Sequence, residues 1–130
     1  ITPLHSAAIF NRADMVELLL SRGADPYHMT LGYGAIYLTP LHKAARQGHM
    51  EAVELLVNAS DVNQISADGM TPLHWASVNG AAEIVRVLLA NNADPWIRNE
   101  TLDGLSAVDI AEAMGYSELM QIFGVRAAAV

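Results

Sequence analysis

The apolar residues of the chain fall into four similar segments whose spacing predicts helices. Each segment opens with an acidic residue and then places apolar side chains three and four positions apart, the pattern of a helix with one buried face. The segments are DMVELLL from Asp14, EAVELLV from Glu51, EIVRVLL from Glu83 and ELMQIF from Glu118. A helix rich in small residues is predicted before each segment, with a turn residue that tolerates positive φ (Asn11, Gly48, Gly80 or Gly115) between the two helices.

The start of each predicted helix pair carries a recurring tetrapeptide. Thr-Pro-Leu-His begins at Thr2, Thr39 and Thr71, and a degenerate copy begins at Ser106, so the unit repeats every 32 to 37 residues. A hydroxyl side chain at this point can cap free backbone N–H groups, and proline suits the first helical position because it has no N–H to leave unsatisfied. Two short helices cannot bury an apolar stripe alone. The units are therefore expected to stack side by side.

This combination of motifs resembles the ankyrin repeat, and the resemblance covers essentially the whole chain. It implies an all-α solenoid of stacked helix-turn-helix units with short β-hairpin fingers and a concave face. We expect a single ankyrin-repeat domain over residues 1–130, with repeats at roughly 1–26, 27–62, 63–95 and 96–126. Glu112 and Gln121 make the fourth repeat more polar, as expected of a C-terminal cap.

Two departures from the regular pattern carry further expectations. The chain begins at Ile1, directly before the first tetrapeptide and without a finger, which is typical of a fragment of a longer protein. The face in front of repeat one should then expose apolar groups unless other residues cover it. The first finger, residues 27–37, is longer than the resemblance implies, and such loops often carry individual function.

Composition narrows the function classes. The 130 residues are 52% hydrophobic but only 6% aromatic, and 7 basic against 14 acidic residues give a formal charge of −7. This balance argues against binding to nucleic acid or directly to an anionic membrane. The absence of cysteine excludes disulfides, and no apolar run is long enough to span a bilayer. We expect an intracellular protein, cytoplasmic or nuclear, and a monomer.

The three patterned histidines are interpreted as structural. His5, His42 and His74 occupy equivalent positions of successive repeats, which should lie about 8–10 Å apart, the spacing of packed helices. A metal site needs ligands that converge within about 2 Å of one ion. Each imidazole is therefore expected to bond the backbone of a neighbouring finger, and no metal is predicted.

No combination of residues resembles a catalytic site. The sequence lacks a recognisable nucleophile setting, a phosphate-binding glycine loop and a pair of catalytic carboxylates. The acidic residues instead open or line the second helices, where they suit the helix dipole and solvent. We expect no catalytic residue and no cofactor, so the chain alone is not expected to be an enzyme.

The resemblance implies a partner-binding surface along the concave groove, which the first helix of each repeat lines. An aromatic and basic centre at Trp75, Lys43 and Arg46 has the character of a binding hot spot. The predicted groove residues are Phe10, Leu38, Lys43, Arg46, Gln47, Met70, Trp75, Val78 and Asn79. For Phe10, Leu38 and Met70 the alternative is coverage by a neighbouring finger.

Aromatic residues also mark the fingers. Partner contact is predicted for Tyr27, Tyr33, Tyr37 and Trp96. For Tyr37 and Trp96 the alternative is that the ring covers the edge of the stack, since both uses satisfy an amphipathic ring. Asn63 lies in a context that resembles the asparagine-hydroxylation site of ankyrin proteins, although turn asparagines commonly just bond their own loop.

These observations predict a non-catalytic protein-protein interaction module that binds through the groove and the fingers. The basic pair Lys43 and Arg46 favours a protein or peptide partner with an acidic segment. The alternative is a substrate-recruiting or regulatory ankyrin domain of a larger enzyme or channel.

Overall fold

The architecture is a series of helix pairs. A computed structural model describes residues 2–27, 29–31, 37–66, 69–99 and 104–124. Within these ranges the chain forms eight α-helices and one two-stranded β-sheet. In chain order the elements are α1 Pro3–Ile9, α2 Ala13–Ser21, β1 Thr30–Leu31, β2 Tyr37–Leu38, α3 Pro40–Gln47, α4 Met50–Val57, α5 Pro72–Val78, α6 Ala82–Ala90, α7 Ala107–Met114 and α8 Ser117–Ile122.

The first helix of each pair begins where the tetrapeptide predicts. The hydroxyl oxygens of Thr2, Thr39, Thr71 and Ser106 each accept a hydrogen bond from the backbone N–H three residues later. Three of these helices start with proline, which fits the first turn without losing a bond. The predicted helix starts are confirmed.

The helices stack in two rows. α1, α3, α5 and α7 contact one another in succession, and so do α2, α4, α6 and α8. Leucines of the first helices (Leu4, Leu41 and Leu73) and apolar residues of the second helices (Val53 and Leu56) are buried together in one continuous core. The stacked helix-turn-helix solenoid predicted from the repeat is confirmed. The repeat boundaries stay a prediction.

Short hairpins precede the first helices of the later repeats. β1 pairs with β2 in antiparallel fashion, with Thr30 opposite Leu38. In the next two repeats the same place is marked by a single backbone bond. The N–H of Ser66 donates to the Met70 carbonyl at 2.9 Å, and the N–H of Asn99 donates to the Leu105 carbonyl at 2.8 Å. Each hairpin therefore ends at the residue just before a capping Thr or Ser.

Candidate partner-binding surface

The three histidines connect consecutive repeats. The Nε2–H groups of His5, His42 and His74 donate to the carbonyl oxygens of Leu38, Met70 and Leu105 at 2.9, 3.0 and 3.1 Å. All three rings are buried. Each bond runs from the first helix of one repeat to the end of the hairpin that begins the next. The imidazoles are thus part of the contact between repeats.

Hydrogen bonding also assigns the protonation of these rings. The backbone N–H groups of Thr39 and Thr71 donate to Nδ1 of His42 and His74 at 3.2 and 2.9 Å. A nitrogen that accepts a hydrogen bond carries no proton, so both rings are neutral Nε2–H tautomers. Both nitrogens of each ring are engaged. In the parts of the chain that the structure describes, no three His, Asp or Glu side chains are grouped so as to hold a metal ion.

Three predicted groove residues are buried, and the prediction that they face a partner is wrong. Leu38 and Met70 are 1% and 2% exposed, because each ends a hairpin and turns its side chain into the core. Lys43 is only 6% exposed, since α3 is flanked by α1 on one side and α5 on the other. The surface that a partner can reach therefore consists of other residues of the first helices.

The centre of the remaining first-helix surface is a stacked pair. The Arg46 guanidinium lies 5.0 Å from the centroid of the Trp75 ring, a cation-π distance. Trp75 is half-buried against the core, and its indole N–H has no hydrogen-bond partner among the described residues. Val78, one turn further along α5, is also half-buried. Arg46 and Trp75 together present a flat apolar ring beneath a fixed positive charge.

Lys43, three residues before Arg46 on α3, adds a second basic side chain near Arg46. Burial lowers the pKa of Lys43, and the nearby positive charge of Arg46 lowers it further. No carboxylate within the described ranges forms an ion pair with Lys43 or Arg46; the ion pairs found there join Arg12 to Asp14 and Arg86 to Glu83 and Glu118. The site thus holds uncompensated positive charge in a chain of net charge −7.

The outer edge of the first-helix surface has apolar ends and a polar middle. Phe10, Gln47, Asn79 and Met114 occupy equivalent positions of the four repeats, and all four are exposed. Phe10 and Met114 are 72% and 52% exposed. Met114 is absent from the sequence prediction. It lies eight residues after Ser106, as Asn79 lies eight residues after Thr71, and this equivalence would have identified it.

A second set of contacts between repeats is also absent from the sequence prediction. His49 Nε2 donates to the Ile9 carbonyl at 2.6 Å, and the Tyr116 hydroxyl donates to the Val78 carbonyl at 3.2 Å. Between the middle repeats the amide of Asn79 donates to the Arg46 carbonyl instead. In each case a side chain near the turn reaches back to the end of the preceding first helix. Asn79 is therefore exposed but already engaged.

The finger bases repeat one local turn and expose two aromatic rings. The N–H groups of Tyr27 and Trp96 each donate to the aspartate two residues earlier at 2.9 Å. Their side chains are 53% and 60% exposed. Ile1 and Tyr33 lie outside the described residues. The backbone of Tyr37 pairs with Leu31, and its side chain is likewise outside them.

Asn63 joins its loop to the next repeat. Its side-chain oxygen accepts the Asp94 N–H at 2.8 Å, and its side-chain amide donates to the Asn92 carbonyl at 3.4 Å. Hydroxylation at Asn63 stays a prediction. A modifying enzyme would have to open these contacts first.

Comparison with known proteins agrees with this geometry. The family model described as Ankyrin repeats (3 copies) matches residues 31–99, and that described as Ankyrin repeats (many copies) matches residues 4–57. An ankyrin repeat protein of Fowlpox virus (strain NVSL), FPV031, is 35% identical over 126 residues, which cover 94% of this chain and 36% of the viral protein.

Two further relatives are a palmitoyltransferase and a phosphatase regulatory subunit. Palmitoyltransferase AKR1 of Lachancea kluyveri is 31% identical over 147 residues (87% of this chain, 20% of that protein). Protein phosphatase 1 regulatory subunit 12A of Mus musculus is 41% identical over 86 residues (64% of this chain, 8% of that protein). The chain thus spans between 8% and 36% of the length of these three relatives. No helix within the described segments has the length and apolarity to cross a membrane. The chain belongs to the ankyrin-repeat family, whose repeats are generally protein-interaction modules without catalytic activity.

Proposed function

We propose that this chain binds an acidic segment of a partner protein along the surface of its first helices, and that it catalyses no reaction. The observation that carries the proposal is the Arg46–Trp75 pair, in which a guanidinium lies 5.0 Å from a half-buried indole ring. Tryptophan and arginine are enriched among residues that dominate binding energy. The pair supplies both an apolar platform and a charge.

Electrostatics supports an acidic ligand. Arg46 and Lys43 have no carboxylate partner in the described part of the chain, whereas Arg12 and Arg86 do. A carboxylate brought by a partner would compensate this charge, and the ring holds the guanidinium in place beforehand. Less side-chain entropy is then lost on binding.

The apolar residues at the two ends of the surface indicate which residues the ligand should carry beside its acidic one. Phe10 and Met114 are exposed at equivalent positions of the first and last repeats, on either side of Gln47 and Asn79. A segment with a central acidic residue and apolar residues toward both ends would match this order. The exposed rings of Tyr27 and Trp96 give a second contact region at the finger bases. The protein would act as a cytoplasmic or nuclear monomer without a cofactor.

Selection from a library of displayed peptides tests the proposal. We expect wild-type protein to enrich peptides with an acidic residue next to an apolar one, and Arg46→Glu to abolish that enrichment. Arg22→Glu is the matched control, because Arg22 is an exposed arginine at the end of α2 and undergoes the same change of charge. Trp96→Ala separates binding at the fingers from binding at the first helices.

Titration calorimetry with one selected peptide then measures the site. Binding should weaken as ionic strength rises, because an exposed ion pair is screened. Equal affinity of wild type and Arg46→Glu for that peptide, or enrichment without any acidic preference, would refute the proposed site. If only Trp96→Ala lost binding, the binding site would lie at the fingers and not on the first helices.

A second candidate role is a regulatory or substrate-recruiting domain within a larger enzyme or channel. It is supported by the similarity to a palmitoyltransferase and to a phosphatase regulatory subunit, of which this chain spans 20% and 8%. The same binding surface would then present a substrate or a neighbouring domain. Co-purification of an enzymatic activity that depends on Arg46 would support this role.

A further inference from the structure

The two rows of helices differ in the sign of their charges. The first three first helices, α1, α3 and α5, carry Lys43 and Arg46 but no aspartate or glutamate. Each of the second helices α2, α4, α6 and α8 carries at least one carboxylate. The two cations of α3 therefore lie on a surface without compensating groups, although the chain as a whole has a net charge of −7.

Lys43 is a cation that the fold holds almost entirely out of solvent. It is 6% exposed and forms neither a hydrogen bond nor an ion pair with the described residues. Its ammonium still reaches solvent, because the fully buried side-chain atoms without a partner in the described segments belong to Ser60, Trp75 and Ser77. A charge desolvated to this extent is costly unless a counter-charge compensates it. An anionic ligand atom could contact the ammonium and remove that cost.

Arg46 places a second cation next to Lys43. Side chains three residues apart on a helix are neighbours, with about 5–6 Å between their Cβ atoms. Burial lowers the pKa of Lys43, and the charge of Arg46 lowers it further, so the two groups interact. The Arg46 guanidinium is held 5.0 Å from the Trp75 ring centroid and has no carboxylate partner in the described ranges. One ligand group would therefore meet two positive charges.

Two adjacent cations favour a phosphoryl group over a carboxylate. A carboxylate carries one negative charge, so it leaves one of the two cations uncompensated. A phosphomonoester carries about −1.5 to −2 at pH 7 and has three strong acceptor oxygens. Arginine binds such oxygens in a bidentate manner, and lysine binds them as a point charge. Ser6, at the position of α1 equivalent to Lys43, is half-buried and adds a hydroxyl that bonds none of the described residues.

We propose that Lys43 and Arg46 bind a phosphorylated serine or threonine of the partner segment. The inference rests on the function proposed above, which places an acidic segment on this surface, and it specifies the acidic group. A protein partner is favoured over an anionic membrane, because the net charge of −7 opposes a broad negative surface. The Trp75 ring keeps the guanidinium in position, and one phosphoryl group compensates both cations.

Three synthetic peptide pools test this. They have randomised flanks and differ only in a central residue, which is phosphoserine, glutamate or serine. Each pool is passed over immobilised protein, and the retained fraction is measured by mass spectrometry. We expect wild type to retain the phosphoserine pool about tenfold better than the glutamate pool, in keeping with one additional charge-assisted hydrogen bond. The glutamate pool should in turn exceed the serine pool.

Replacement of single cations separates their contributions. Lys43→Met removes one charge and leaves the Arg46–Trp75 pair in place, so it should retain the glutamate pool and lose the preference for phosphoserine. Arg46→Glu should retain neither pool. Arg22→Met is the matched control, because it removes an exposed cation at the end of α2 and should keep the full preference. Circular dichroism checks that the helices of each variant are intact.

The outcomes distinguish this inference from the proposed function. Equal retention of the phosphoserine and glutamate pools by wild type would overturn the inference and leave the acidic-segment site standing. Retention of neither pool above the serine pool would overturn both. A phosphoserine preference that persists in Lys43→Met would place the phosphoryl group elsewhere on the protein. Binding to phosphatidic acid vesicles that requires Lys43, without a phosphoserine preference, would assign the phosphoryl group to a lipid and refute the phosphopeptide.

Discussion

Lys43 and Arg46 determine the charge of the first-helix surface at the scale of single residues. They are three positions apart on α3, so their side chains share one face of the helix. Arg46 is held above the Trp75 ring, but Lys43 is buried beneath the surface. The pKa of Lys43 is lowered first by this burial and then by the charge of Arg46. Folding therefore disfavours the charged form of Lys43.

Replacement of Lys43 by methionine should stabilise the protein at pH 7. Below the pKa that Lys43 has in the folded protein, the lysine is charged in both the folded and the unfolded state. Wild type then bears the full free-energy cost of burying that charge. Between that value and the unfolded value near 10.5, the unfolded chain binds more protons, and wild-type stability rises with pH. The advantage of Lys43→Met should thus shrink as pH approaches 10.5.

Urea unfolding at pH 7 and pH 10 measures this difference. Arg22→Met is the control, because it removes an exposed cation. A constant difference between Lys43→Met and wild type at both values would show that Lys43 is not desolvated in solution.

The sequence predicted that basic and apolar residues line the first-helix surface, but it did not predict which of them are exposed. The tetrapeptide predicted the caps because they depend on bonds within one short motif. It predicted that the histidines join neighbouring repeats because they recur at equivalent positions of successive units. The burial of Leu38, Met70 and Lys43 depends on where hairpins and adjacent helices lie, which no local pattern specifies. The same holds for His49, whose acceptor is forty residues away on another repeat.

The turns between paired helices stack on one another at the scale of structural elements. Gly80, with φ of +66°, lies in the turn between α5 and α6, and the Tyr116 ring from the next repeat packs against it. A Cβ added at Gly80 would lie 3.1–3.3 Å from three ring carbons. Gly48 occupies the same position one repeat earlier at φ +76°, and a Cβ there would meet nothing within 4 Å.

Gly80→Ala should therefore destabilise the protein more than Gly48→Ala. Both variants bear the strain of positive φ, and only Gly80→Ala also overpacks a ring, which costs roughly 1–3 kcal/mol. Chemical unfolding of both variants at pH 7 gives the two free energies. Equal losses would mean that the ring moves aside freely, and recovery in a Gly80→Ala, Tyr116→Ala double variant would locate the clash.

At the scale of the whole molecule, each repeat is stabilised mainly by its neighbours. Helices contact the adjacent units of their own row, so an internal repeat has two partners and the first repeat has one within the described stack. This dependence explains why the fold could be predicted from the sequence. Four units in register bury their apolar stripes when they stack side by side.

Amide hydrogen exchange should be faster in a helix with one neighbouring repeat than in a helix with two. We expect the amides of α2 to exchange faster than those of α4 and α6, because α2 is covered on one side only and Met15 remains partly exposed. Mass spectrometry on peptic peptides gives the rates for each helix. Protection of α2 equal to that of α4 in the monomeric protein would contradict the neighbour-based view of stability.

The imidazole bonds also determine how the stack would respond to tension. Each bond holds the carbonyl immediately before the next first helix, so a force applied between the chain ends loads the three bonds one after another. One interface can part while the others remain closed, since each involves only two adjacent repeats. Stretching would then release contour length in separate steps of one repeat, 32 to 37 residues at a time.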